Sequence, residues 1–251
     1  MPLGQRDRQV IISAVIARRP LRRSAGVLLF AAGLALAGVR SRPPGRSGDG
    51  SAGLRPVILL TALAVVGAVN EREARRQRAA LAAAAGESQA RAGERDPASA
   101  RLLARTCLPA AMAAVIISEA VPAAGFGQRA SRAALAAGLG MTAAGIVVRQ
   151  RAIGTLGRFF TGAVMTQPGH RLIQAGPYRV IRHPGYAGIW LQAAGIGLAS
   201  GNAAGLAICL LLPPVGIVPR IRAEDVVLGE AFPDEFPGYA GRTRRLVPFA
   251  W

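Results

Sequence analysis

The chain has 251 residues, 51% of them apolar, yet its formal net charge is +18 at pH 7. A soluble globular domain rarely joins a positive mean hydropathy to so large a charge, so an ordinary soluble enzyme is disfavoured. All 31 basic residues are arginine, which together with the alanine richness looks bacterial. A pI near 11.8 raises nucleic-acid binding, but the arginines fall between apolar runs instead of on one face, so nucleic acid is not expected as a partner.

Residues 1–23 read as a basic cytosolic N-terminal segment, followed by a first apolar stretch, Ser24 to Val39. Ala35-Leu36-Ala37 superficially resembles a signal-peptide cleavage site, but the hydrophobic segments that follow favour a retained first helix. Arg40 to Gly53, rich in Gly, Pro, Ser and Arg, should be an irregular connection. The next apolar stretch is Leu54 to Val69. Asn70 to Ala85 can continue it as a cytosolic helix until Gly86 to Pro97 breaks it, within an Arg/Ala-rich loop at 70–101.

Further apolar stretches run from Leu102 to Phe126, Ala133 to Val148, Gly185 to Ser200 and Ala203 to Pro219. The last two are joined only by Gly201 and Asn202, the turn chemistry of a tight helical hairpin at 185–219. Some stretches are shorter than the ~20 residues that span a bilayer core, although flanking arginines can snorkel. The expected fold is all-α: a polytopic membrane bundle of about four spans plus the C-terminal hairpin. Residues 24–148 would hold the N-terminal membrane helices and 149–251 a C-terminal module that includes the hairpin.

With both termini cytoplasmic, the inside segments hold 6, 7, 6 and 5 arginines and the outside ones 4 and 2, that is 24 against 6. The positive-inside rule supports this orientation, in a bacterial inner (plasma) membrane. Cys107 and Cys209 lie within apolar stretches and read as packing residues. Gly138-x-Gly140-x-x-Ala143 resembles a nucleotide-binding string, but without a preceding strand it reads as small-residue helix packing.

Between Arg149 and Pro184 the apolar pattern stops, and both histidines appear, His170 and His183. No Asp, Glu or Cys cluster accompanies them at ligand spacing, so no metal is expected. Gly176-Pro177 signals a turn, and Pro184 can open a helix whose first N–H groups could receive an anion. Beyond the hairpin, Arg220 and Glu224 are four apart, hence on one helix face near the membrane boundary. On spacing alone they could equally be an ordinary surface pair. The tail, Phe232 to Trp251, mixes aromatics and arginines, which suits a cap against the headgroup region.

Gly-Pro-Tyr-Arg (176–179), Arg-His-Pro-x-Tyr-x-Gly (182–188), Arg-x-x-x-Glu (220–224) and Arg-Thr-x-Arg-Leu-x-Pro (242–248) occur in this order. Together they resemble the isoprenylcysteine carboxyl methyltransferase family, itself similar to membrane phospholipid methyltransferases. The resemblance covers about 150–251 and implies a methyltransferase using S-adenosylmethionine (SAM). It implies cofactor contacts for His170, Arg171, Leu172, Ile173, Tyr178, His183, Pro184, Gly185, Tyr186 and Glu224. Arg220 would bind the methyl acceptor, and Arg220 with Glu224 would carry catalysis. Asp225, Pro233 and Phe236 stand where the family usually has Glu, Gly and Tyr.

Methyl transfer from a sulfonium is an in-line displacement that needs positioning and exclusion of water. A carboxylate acceptor is already ionised at pH 7 and can be fixed by an arginine; an amine would need a base. This favours O-methylation of a lipophilic or prenylated acceptor arriving from the lipid bilayer. The alternatives are a phospholipid N-methyltransferase, a small-thiol S-methyltransferase, and a non-enzymatic transporter or assembly factor on the same fold.

Overall fold

The computed structural model describes residues 50–85, 97–121, 128–160, 171–248 and 251. The first apolar stretch at 24–39 and the site residue His170 lie outside the described residues. The chain divides into two compact units, 1–60 and 61–251, and every interaction below belongs to the second. Its helices are α1 Gly50–Ala85, α2 Pro97–Ala120, α3 Gln128–Leu156, α4 Pro184–Ala199, α5 Ala203–Ala231 and α6 Phe236–Arg242, the first of which begins in the other unit. Short 3-10 turns occupy Gly157–Phe159 and Gly176–Arg179, and no strand occurs among the described residues.

Four of these helices contain segments long and apolar enough to cross a membrane: Leu54–Arg76, Ala98–Ser118, Arg132–Leu156 and Ala203–Ala231. The described residues are all-helical, and these four segments mark an integral membrane protein. Helix α4, at 16 residues, rises only about 24 Å and does not span by itself. Helix α5, at 29 residues, rises about 43 Å, more than the ~30 Å hydrocarbon core. If its start lies at one face, Glu224 and Asp225, about 32–33 Å along, reach the other, with Arg220 about 26 Å along and just inside it.

The hairpin is tight for local reasons. Gly201 adopts a positive φ of 68°, and the Asn202 side chain then accepts from the N–H groups of Ala204 at 3.0 Å and Gly205 at 3.2 Å, capping α5. The Asn202 amide also donates to the Val121 carbonyl at 2.8 Å, tying the hairpin to the end of α2.

The sequence pattern ends the second hairpin arm at Pro219, but α5 continues through Pro213, Pro214 and Pro219 to Ala231. Each proline removes one N–H, a loss that packing offsets here. A Cβ on Gly216 would lie 2.7 Å from Leu103 Cα, so the α2 backbone presses directly on this part of α5. Because the helix is unbroken, Arg220 and Glu224 fall one turn apart.

Helices α3 and α4 are antiparallel and meet through glycines. A Cβ on Gly195 would come within 2.6 Å of the Gly138 carbonyl and the Thr142 amide, and one on Gly188 within 2.7 Å of the Gly145 carbonyl. The string beginning at Gly138 is therefore a packing seam. Close backbone approach of this kind is how helices associate where lipid removes the hydrophobic driving force.

Candidate active site

The polar residues at the membrane-boundary end of α5 form one connected cluster with the start of α4. Ile181 pairs with Arg244 as an isolated parallel bridge, while the Arg182 and His183 amides donate to the Arg244 and Arg245 carbonyls at 2.7 and 2.9 Å. The segment before α4 is thus held against the C-terminal tail. This fixes His183, the N-cap residue of α4, beside α5.

The His183 ring is buried, with its two nitrogens on different acids: Nε2 lies 2.8 Å from Asp225 Oδ1 and Nδ1 3.3 Å from Glu224 Oε2. Carboxylates only accept, so a ring that donates from both nitrogens is the protonated one, the form this pair of acids favours. Burial alone would lower its pKa, but the bonds to Asp225 and Glu224 outweigh burial and raise it above the ordinary value.

Glu224 also accepts a hydrogen bond from the Tyr186 hydroxyl. Arg220 Nε donates to that hydroxyl oxygen at 3.3 Å, lies 3.6 Å from Glu224 Oε1, and its Nη1 donates to Ser99 Oγ at 3.3 Å. Only 2% of the Arg220 side chain is exposed, against 25% for Glu224, so this is no ordinary surface pair. Of the cluster's two carboxylates, Glu224 is the more open, at 25% against 10% for Asp225.

Asp225 is the structural centre. Besides His183 it accepts from Arg245 Nε at 2.7 Å and faces Arg182 Nε at 3.6 Å. Arg182 Nη1 in turn donates to the carbonyls of Ala240 at 2.8 Å and Thr243 at 2.6 Å, clamping the tail around α6. In the sequence, Asp225 is visible only as a departure from the family's usual Glu. Arg182, Arg245 and Ser99 are not among the site residues the sequence singles out, although Arg182 lies inside the Arg-His-Pro motif and Arg245 inside the Arg-Thr-x-Arg-Leu-x-Pro motif.

The remaining expected residues are placed less compactly. Tyr178 is buried, its carbonyl accepting from the Tyr239 hydroxyl at 2.9 Å, and burial followed by the Glu224 charge pushes its phenol pKa well up. Pro184 is buried; Gly185 and Tyr186 are partly so. Arg171 is exposed and Leu172 and Ile173 half-buried, in an extended strip whose backbone makes no hydrogen bond to other described residues. The helix-start expectation needs correction: the Tyr186 and Ala187 amides turn back to the His183 carbonyl at 3.1 and 3.2 Å. Of the first-turn N–H groups expected to receive an anion, those two are taken, and Pro184 has none.

The fold and the cluster define an integral membrane helical protein with an ion-paired polar site at one end of its bundle. Residues 138–230 match the model of the isoprenylcysteine carboxyl methyltransferase (ICMT) family, a span that includes His183, Arg220, Glu224 and Asp225. A probable protein-S-isoprenylcysteine O-methyltransferase of Oryza sativa subsp. indica is 32% identical over 111 residues, 43% of this chain and 58% of that protein. The cobalt-zinc-cadmium resistance protein CzcN of Cupriavidus metallidurans is 34% identical over 103 residues, 39% of this chain and 45% of that protein. The chain spans about half the length of the curated relatives it matches. A solved structure of the eukaryotic intramembrane Ras methyltransferase ICMT is similar with a TM-score of 0.49 and 16% identity, covering 94% of this chain and 88% of that one.

Proposed function

We propose that this protein is a membrane methyltransferase that uses SAM to methylate the carboxylate of a lipophilic, prenylcysteine-like acceptor. The observation that carries the choice of acceptor is the doubly bonded His183. Held between Asp225 and Glu224, His183 is poorly suited to take a proton from an amine, and Glu224 is engaged by His183, Tyr186 and Arg220, whereas a carboxylate acceptor has no proton to lose. Buried Arg220, beside Glu224, is the natural partner for that carboxylate through charge-assisted bonds.

The residues present suit the cofactor. Glu224 keeps a quarter of its side chain exposed and can accept from the donors of SAM. The strip from Arg171 to Gln174 has backbone groups without partners among the described residues, flanked by Leu172 and Ile173, a fit for the edge and face of a purine. SAM supplies an activated methyl group on a sulfonium. The protein's part is to hold donor and acceptor in line and keep water away. His183, Pro184, Gly185, Tyr186 and Tyr178 would shape the cofactor side, with Arg220 on the acceptor side. The same reading puts both termini on the cytoplasmic side of a bacterial inner membrane.

The test is incubation of the purified chain with methyl-labelled SAM and, separately, an S-prenylcysteine, phosphatidylethanolamine or a small thiol. Label in a base-labile ester of the prenylcysteine is expected. Label in the lipid headgroup or on the thiol would replace this acceptor by the phospholipid or thiol alternative, and no label anywhere would sink the enzymatic reading.

A further inference from the structure

A second polar group lies inside the bundle, beside the start of α4. Arg149 of α3 donates from Nε to Asn70 Oδ1 at 3.0 Å and from Nη1 to the Gly185 carbonyl at 3.3 Å. Asn70 of α1 donates from Nδ2 to Gln192 Oε1 at 3.2 Å. Gln192 of α4 is 4% exposed, and its Nε2 has no hydrogen-bond partner among the described residues. Close helix contact places these groups: a Cβ on Gly188 would lie 2.7 Å from Arg149 Cβ, and one on Gly145 3.0 Å from Gln192 Cγ.

The direction of this chain of bonds is dictated by Arg149. A guanidinium can only donate, so Asn70 must turn its oxygen towards it. The Asn70 nitrogen then faces Gln192, which must offer its oxygen in turn. What is left over at the end is the Gln192 amide nitrogen. Arg149 makes no ion pair among the described residues, and its Nη2 no hydrogen bond to them. The network therefore has a positive charge and a buried donor, Gln192 Nε2, without a partner among the described residues. A buried polar donor left unmet is costly, and so is a cation in a membrane bundle that no anion pairs.

We propose that Arg149, with Gln192 Nε2 and the Asn70 that orients it, receives a ligand carboxylate. The inference rests on the methyl-transfer reading, in which two ligands carry that group: the amino-acid end of SAM and the acid of the methyl acceptor. Arg149 would be a binding residue, Asn70 a positioning residue.

The experiment measures binding to the full chain in lipid nanodiscs for two ligand pairs: SAM against decarboxylated SAM, and an S-prenylcysteine against its carboxamide. Wild type should prefer the carboxylate member of one pair by about tenfold or more, and Arg149→Gln should erase that preference while leaving the other member's affinity unchanged. Loss in the SAM pair assigns the site to the cofactor, and loss in the prenylcysteine pair assigns it to the acceptor. Gln192→Glu is isosteric and puts a carboxylate where the spare donor stands, so it should erase the same preference even if Arg149→Gln does not fold. Equal weakening of both members, or a preference unchanged in both variants, would overturn the proposal and leave Arg149 a packing residue. If wild type binds neither SAM nor its decarboxylated form, the methyltransferase reading fails; the prenylcysteine pair still decides the carboxylate site.

Discussion

His183 Nε2 and Asp225 Oδ1 lie 2.8 Å apart and join the N-cap of one helix to the last turns of another. The same carboxylate holds Arg245 through its second oxygen, so one side chain ties α4, α5 and the C-terminal tail together. Replacing it leaves a buried imidazolium and two guanidiniums short of charge. Asp225→Asn should destabilise the protein by about 3 kcal/mol, read from its unfolding midpoint in detergent. A change under about 0.5 kcal/mol would mean that the exposed part of Arg245 absorbs the loss.

The raised pKa of His183 sets a pH dependence. Its folded value lies above that of the unfolded chain, near 6.5. The stabilisation it brings is complete below the unfolded value and is lost as pH rises through the folded one. The melting temperature should therefore fall on the alkaline side of about 6.5, and His183→Gln should flatten that part of the profile. A His183 resonance that titrates below the ordinary value in a labelled sample would contradict this.

The glycine seam makes a paired prediction. Gly195→Val forces side-chain atoms into the Gly138 carbonyl and Thr142, and should cost about 1–3 kcal/mol or prevent folding. Gly140→Ala meets nothing within 4 Å and should be neutral or stabilising by about 0.5–1 kcal/mol. Thermal melts of the two variants separate a packing seam from a generic dislike of substitution in α3.

On the proposed reading, Arg220→Ala removes one charge-assisted partner of the acceptor, worth about 1.5–3 kcal/mol. The acceptor KM should rise about tenfold or more while SAM affinity changes little. Partial recovery with Arg220→Lys would mark the charge as the active feature. A loss confined to SAM affinity would place Arg220 on the cofactor side instead.

Much of the fold is legible in the residue pattern alone. The apolar runs starting at Leu54, Ala133 and Ala203 fall within described helices, those starting at Leu102 and Gly185 form helix as far as Ala120 and Ala199, and Gly201-Asn202 is the turn it resembles. Pro219 misleads because proline is a local stop signal, whereas the continuation of α5 depends on contact with α2, about a hundred residues earlier in the chain. The spacing of Arg220 and Glu224 places them on one face but cannot show that Arg220 is buried. The links His183 to Asp225 and Asn70 to Gln192 span 42 and 122 residues, beyond any periodicity. Gln192 does leave a signal, as the one polar side chain in an otherwise apolar run from Ala187 to Ala199.

The most direct measurement is calorimetric titration of SAM into the purified chain in nanodiscs, beside Glu224→Ala. Wild type should bind SAM, and the variant should bind it about tenfold more weakly for want of the cluster's more open carboxylate. No binding by wild type, or equal affinity in the two, would contradict the assignment of Glu224 and His183 to a cofactor site.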